Sequence, residues 1–127
     1  MAAAPEKLVS DACEWVAAHP ETWRNLVSLC LVLRRQGHRI QRDSVYTLAM
    51  QHGMAIGDAR EFRRNHNLWS VLSRYMVMQH PSLAPCIELR ATPVDDIDLE
   101  AAWHSIVGPC DFAARSPAEA MAMGCGL

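Results

Sequence analysis

Pro20-Glu21-Thr22-Trp23-Arg24-Asn25-Leu26-Val27-Ser28-Leu29-Cys30-Leu31-Val32-Leu33-Arg34-Arg35-Gln36-Gly37 is the stretch whose reading decides the fold. Pro20 suits the first turn of a helix, where its missing N–H costs nothing. Glu21 places negative charge where the helix dipole favours it. Arg34 and Arg35 fall in the last turn, and Gly37 follows as a stop. Between these signals, apolar residues occupy nearly every face. The pattern predicts a helix to about Gln36 and makes it the expected central, buried helix.

Working outward, Leu8, Val9, Ala12, Trp15 and Val16 form one apolar stripe at helical spacing, ended by His19-Pro20. Downstream, Asp43 or Ser44 and Gly53 bracket a third helix with Val45, Leu48 and Ala49 inward. The pattern weakens from Met54 to Arg64, where Gly57-Asp58 can cap a short helical turn. Asn65 or Asn67 then starts a helix that carries Leu68, Trp69, Leu72, Tyr75, Met76 and Gln79 on one side, until Pro81. Residues 86–89 read as a turn of helix or a strand. A fifth helix begins near Asp96 or Asp98, contains Leu99, Trp103, Ile106 and Val107, and ends at Gly108.

The expected fold is therefore all-α: a compact bundle of about five helices over residues 1–108. Residues 109–127 read as a short, weakly attached tail, with one short helix at the capping-box sequence Ser116-Pro117-Ala118-Glu119 and a flexible end from Gly124. Half of the 127 residues are apolar, enough for a real core in one domain. With two Phe and two Tyr against four Trp and seven Met, the large core pieces are expected to be Trp15, Trp23, Trp69 and Trp103.

The longest apolar run, Leu29 to Leu33, is far short of the roughly 20 residues that span a bilayer. The start of the chain lacks the pattern of a secretory signal. Five cysteines without a C-x-x-C pair read as free thiols in a reducing compartment. These features predict a cytoplasmic protein without membrane contact, cofactor or metal.

The net charge of −2 hides an asymmetry: residues 1–23 carry −3, residues 24–74 carry +6, and residues 75–127 carry −5. All nine bases of the middle block are arginine. Guanidinium is a flat donor fork that grips phosphate or carboxylate with two bonds, unlike the point charge of lysine. The candidate contact residues are Arg34, Arg35, Arg39 and Arg42 around Gly37-His38, then Arg60, Arg63 and Arg64, followed by Asn65 and Asn67 at a helix start. The competing reading pairs these arginines with the acidic end blocks inside the fold.

Other motifs carry less. Ser44 to Tyr75 has some features of a helix-turn-helix, but the strong helix begins more than ten residues after Gly53, against the three or four expected. Asp95, Asp96, Asp98 and Glu100 read as a helix start rather than a magnesium site. The six histidines show no metal-binding spacing, and neither a nucleophile signature nor a phosphate loop occurs. The chain is thus expected not to be an enzyme.

His19-Pro20-Glu21-Thr22-Trp23, Phe62-Arg63-Arg64-Asn65-His66-Asn67, Leu72-Ser73-Arg74-Tyr75-Met76 with Pro81-Ser82-Leu83, and Glu88-Leu89-Arg90 together resemble small helical proteins of phages and prophages, over residues 19–90. The resemblance implies a mobile-element setting, where small non-enzymatic proteins bind DNA or block a host protein. It implies no catalytic residue. The leading expectation is a binding protein that contacts nucleic acid, or a nucleic-acid-handling complex of the host, through the arginines. The alternatives are a protein inhibitor of a host defence nuclease, of anti-CRISPR type, and a structural helical module that forms a homodimer.

Overall fold

Asn65 folds its side chain back to accept hydrogen bonds from the backbone N–H groups of Asn67 (3.0 Å) and Leu68 (3.2 Å), and so starts the helix around which the others pack. The computed structural model describes residues 4–124; residues 1–3 and the expected flexible end at 125–127 lie outside the described residues. Among the described residues the fold is all-α, with seven α-helices and no strand. They are α1 (Pro5–Ala18), α2 (Pro20–Arg35), α3 (Arg42–Gln51), α4 (Ala59–Arg64), α5 (His66–Gln79), α6 (Leu99–Ile106) and α7 (Pro117–Gly124). Two 3-10 turns, Pro81–Cys86 and Pro93–Asp96, link α5 to α6.

The central helix is α5, not α2. All eight residues 71–78 are buried, whereas Arg24, Ser28, Arg34 and Arg35 of α2 face solvent and its Val27, Leu31 and Val32 are only half-buried. The sequence places one side of this helix inward, with Leu68, Trp69, Leu72, Tyr75, Met76 and Gln79, and leaves Ser73 and Arg74 off it. Both are instead buried and supplied with partners, so polarity alone misplaced that face. The helices α1, α4 and α7 and the first 3-10 turn pack around α5, and α1 also carries α6.

Two aromatic groups organise the core. Trp103 lies 4.8 Å from Tyr75, 5.4 Å from Trp23 and 5.8 Å from Phe112 between ring centroids. On the other side Phe62 bridges Trp15 (6.2 Å) and Trp69 (6.0 Å, edge to face). Of the four tryptophans expected in the core, Trp69 is only half-buried.

Several local expectations change in detail. α3 starts at Arg42, a little earlier than expected, with Ser44 Oγ accepting from the Gln41 N–H. The weak stretch before Arg64 contains α4, capped by Asp58 in the left-handed conformation (φ 48°), whose carboxylate accepts from the Glu61 N–H. Residues 87–92 run extended after the first 3-10 turn, and the Ile40 N–H donates to the Cys86 carbonyl (2.8 Å). That bond holds the connection between α2 and α3 beside the extended segment.

Residues 109–124 are held more closely than a weakly attached tail. Phe112, Ala114, Pro117 and Ala120 are buried, and the Ala114 N–H donates to the Met78 carbonyl (3.0 Å). The Ser116 hydroxyl caps α7 as expected, accepting from the Glu119 N–H at 3.1 Å. Glu119 reaches back to the Arg115 N–H, one residue before the position a capping box uses. No helix among the described residues is long and apolar enough to cross a membrane.

Candidate functional site

Because Ile40 is tied to Cys86, Arg39 sits opposite Glu88, and Arg42 opens α3 beside the first turn of α5. These elements enclose a concave cleft of about 600 Å³. Its walls include Arg39, Arg42, Arg74 and Arg90, with His66, Asn67 and Trp69 from α5. A second, smaller hollow of about 400 Å³ lies across Asp43 and is lined by Tyr46, Arg60, Arg63 and Arg64.

The nine residues expected to form one surface are thereby sorted. Arg39, Arg42 and Asn67 meet in the first cleft, and Arg60, Arg63 and Arg64 in the second hollow. Arg34 and Arg35 join neither. They end α2, where the Arg34 Nε donates to the Ser82 carbonyl (2.8 Å). Asn65 is engaged as the cap of α5 and also donates to the Glu61 carboxylate. Among the cleft residues not proposed as contacts from sequence are Trp69 and Arg74, which the helical pattern assigns to α5, and Arg90, which stands outside the basic block.

The four cleft arginines differ in how fully they are engaged. Arg74 is 2% exposed, and each of its five N–H groups has a partner. Nε and Nη2 reach the Asp95 carboxylate (2.8 and 3.2 Å), Nη2 also the Arg90 carbonyl, and Nη1 the Ser70 carbonyl and hydroxyl. This guanidinium is a structural tie among α5, the extended segment and the second 3-10 turn. It holds the Asp95 carboxyl below its ordinary value.

Arg39 and Arg90 share one exposed carboxylate, Glu88, at 3.0 and 3.7 Å. Exposed pairs of this kind contribute little and exchange readily for another anion. Arg42 is the least satisfied. Its side chain is 17% exposed, its Nε has no hydrogen-bond partner, and the nearest carboxylate oxygen, on Asp43, is 3.8 Å away. Its Nη1 lies 3.1 Å from His66 Nδ1, a partner that brings no negative charge. A largely desolvated guanidinium without a close anion is a site of unbalanced positive charge.

In the second hollow Arg63 lies over the Tyr46 ring, 4.8 Å from its centroid, which fixes its direction without neutralising it. Among the described residues, no group of three His, Cys, Asp or Glu side chains could hold a metal ion. Compared with protein-family models, curated proteins and solved structures, the chain matches none.

Proposed function

We propose that this is a non-enzymatic binding protein that contacts nucleic acid, or a nucleic-acid-handling complex, through the two arginine-lined hollows on either side of Asp43. The observation that carries the reading is Arg42. Its Nε is buried without a hydrogen-bond partner and its nearest carboxylate oxygen is 3.8 Å away, and it stands between neighbours whose own pairings are exposed and exchangeable. A phosphate entering the cleft would supply the missing negative charge and accept from several guanidinium donors at once.

The acidic run supports the inhibitor reading less well. Asp95 is tied to Arg74 and Asp98 caps α6 by accepting from the Ala101 N–H, so neither is free to imitate a phosphate. Helix α5 is buried along residues 71–78 and unsuited to lie in a major groove, which favours backbone contact over base reading by a helix.

The test is binding of random duplex DNA and single-stranded RNA across a salt series, with Arg39→Ala/Arg42→Ala and Arg63→Ala/Arg64→Ala beside the parent chain. Affinity should fall steeply with salt, and each removed phosphate contact should lower the slope by about 1. Absence of binding at low salt would overturn the proposal.

A further inference from the structure

Resting on that reading, we infer that the cleft between α3, α5 and residues 88–92 is a seat for single-stranded nucleic acid, in which one base stacks on Trp69 while Arg42 and Arg39 hold the flanking phosphates. Trp69, expected in the core, lies partly open to this cleft. The other tryptophans are 4–7% exposed, whereas Trp69 is half-buried and lines the cleft. Phe62 packs against it at 84°, and Phe62 is itself fully buried, so the indole is backed by the core. A supported aromatic ring next to arginines in a groove is the arrangement that binds unpaired bases, since every base offers a π-face and stacking needs no particular sequence.

The shape of the site selects single strands over duplexes. The aromatic ring is part of a concave wall, so it can receive a base but cannot project into a groove. In a duplex the bases are stacked on one another and only their edges are accessible. Asn67, Ser70 and Thr92 line the same cleft without adding charge; the Ser70 and Thr92 hydroxyls accept there from Arg74 and the Val94 N–H, which leaves the Asn67 side chain to meet a base. A volume of about 600 Å³ lies within the range of sites that take a single small ligand, enough for a short stretch of strand rather than a helix.

The probes are a fluorescent 12-nucleotide oligo(dT) and a 12-base-pair mixed duplex, titrated at low salt while anisotropy and intrinsic tryptophan emission are recorded. The oligonucleotide should bind about tenfold more tightly than the duplex and quench the emission, because Trp69 is the most exposed of the four tryptophans and lines the cleft. Trp69→Phe keeps a stacking face: it should bind within about threefold of the parent while losing most of the quench. Trp69→Leu should weaken oligonucleotide binding by about tenfold or more. Since the Phe variant carries the optical signal, the test survives if the Leu variant fails to fold. Equal binding of duplex and single strand, or a quench that persists in Trp69→Phe, would overturn the seat and leave the anion-binding surface standing. Binding of neither probe would overturn both.

Discussion

Replacing Asp95 by alanine removes the carboxylate that Arg74 meets among the described residues. The guanidinium is 2% exposed and loses two charge-assisted bonds, at 2.8 and 3.2 Å, while Thr92 loses the acceptor of its N–H at 3.1 Å. Breaking a wholly buried pair costs about 3–5 kcal/mol. Asp95, however, is 35% exposed, and Arg74 keeps its bonds to Ser70 and Arg90, so water can replace part of what is lost. With that discount the expected loss is about 2–3 kcal/mol, or a fall in Tm of about 10 °C for a domain of this size. The sign with pH follows from the direction of the shift. Arg74 holds the Asp95 carboxyl below the ordinary 3.8, so its stabilisation is complete above that value and disappears as pH falls through the lower, folded one. Urea unfolding followed by circular dichroism should show the full gap between parent and Asp95→Ala at pH 7 and a closing gap below about pH 3. A loss under about 0.5 kcal/mol at pH 7 would mean that water alone satisfies Arg74. A gap equally wide at pH 2.5 and pH 7 would refute the ionic account of the tie.

Two other outcomes follow from the buried polar groups. Cys13 and Cys30 are fully buried, and burial raises both thiols, Cys30 up to about 12. In a Cys125→Ser background at pH 8, a thiol reagent should therefore modify the half-buried Cys86 and Cys110 first, and reach Cys13 and Cys30 only as fast as the protein unfolds; fast labelling of all four would contradict the packing. The Tyr75 hydroxyl donates to the Leu99 carbonyl (2.7 Å) and accepts from the Cys13 thiol, so Tyr75→Phe should cost about 1–2 kcal/mol in chemical denaturation, and a neutral result would argue against that bond.

How much of this was legible in the sequence depends on whether the signal is local. Spacing narrowed two caps to Asn65 or Asn67 and to Asp96 or Asp98, whereas the α2 borders and the Ser116 cap are set by residues within a turn of one another and could be read from spacing alone. The choice of central helix could not be. α2 carries the longest unbroken apolar run, Leu29 to Leu33, yet α5 is buried, because Arg74 finds Asp95 and Arg90 more than a dozen residues away and Ser73 finds Ser70 within its own helix. A buried guanidinium is tolerable only when its donors are matched, and that matching is a property of the assembled fold. The closeness of residues 109–124 has the same origin. Their apolar residues are few and widely spaced, but each meets a surface that α5, α6 and the first 3-10 turn leave open.

The same matching sorts the arginines, and it bears on function more than their number does. Nine arginines in a row of sequence suggest one basic surface. In the fold, Arg74 is fully engaged by Asp95, Ser70 and Arg90, Arg34 is engaged by Ser82, and Arg39 is paired with exposed Glu88. Arg42 is left desolvated but not neutralised, which is costly to stability unless something else is gained. A fold free to optimise stability alone would have placed a carboxylate within 3 Å of that guanidinium, as it did for Arg74. An unbalanced charge held beside a core-backed indole is where an anionic, aromatic ligand would recover the most free energy. Free charge and backed aromatic surface, rather than total charge, are therefore what single out this cleft among the concave surfaces of the molecule.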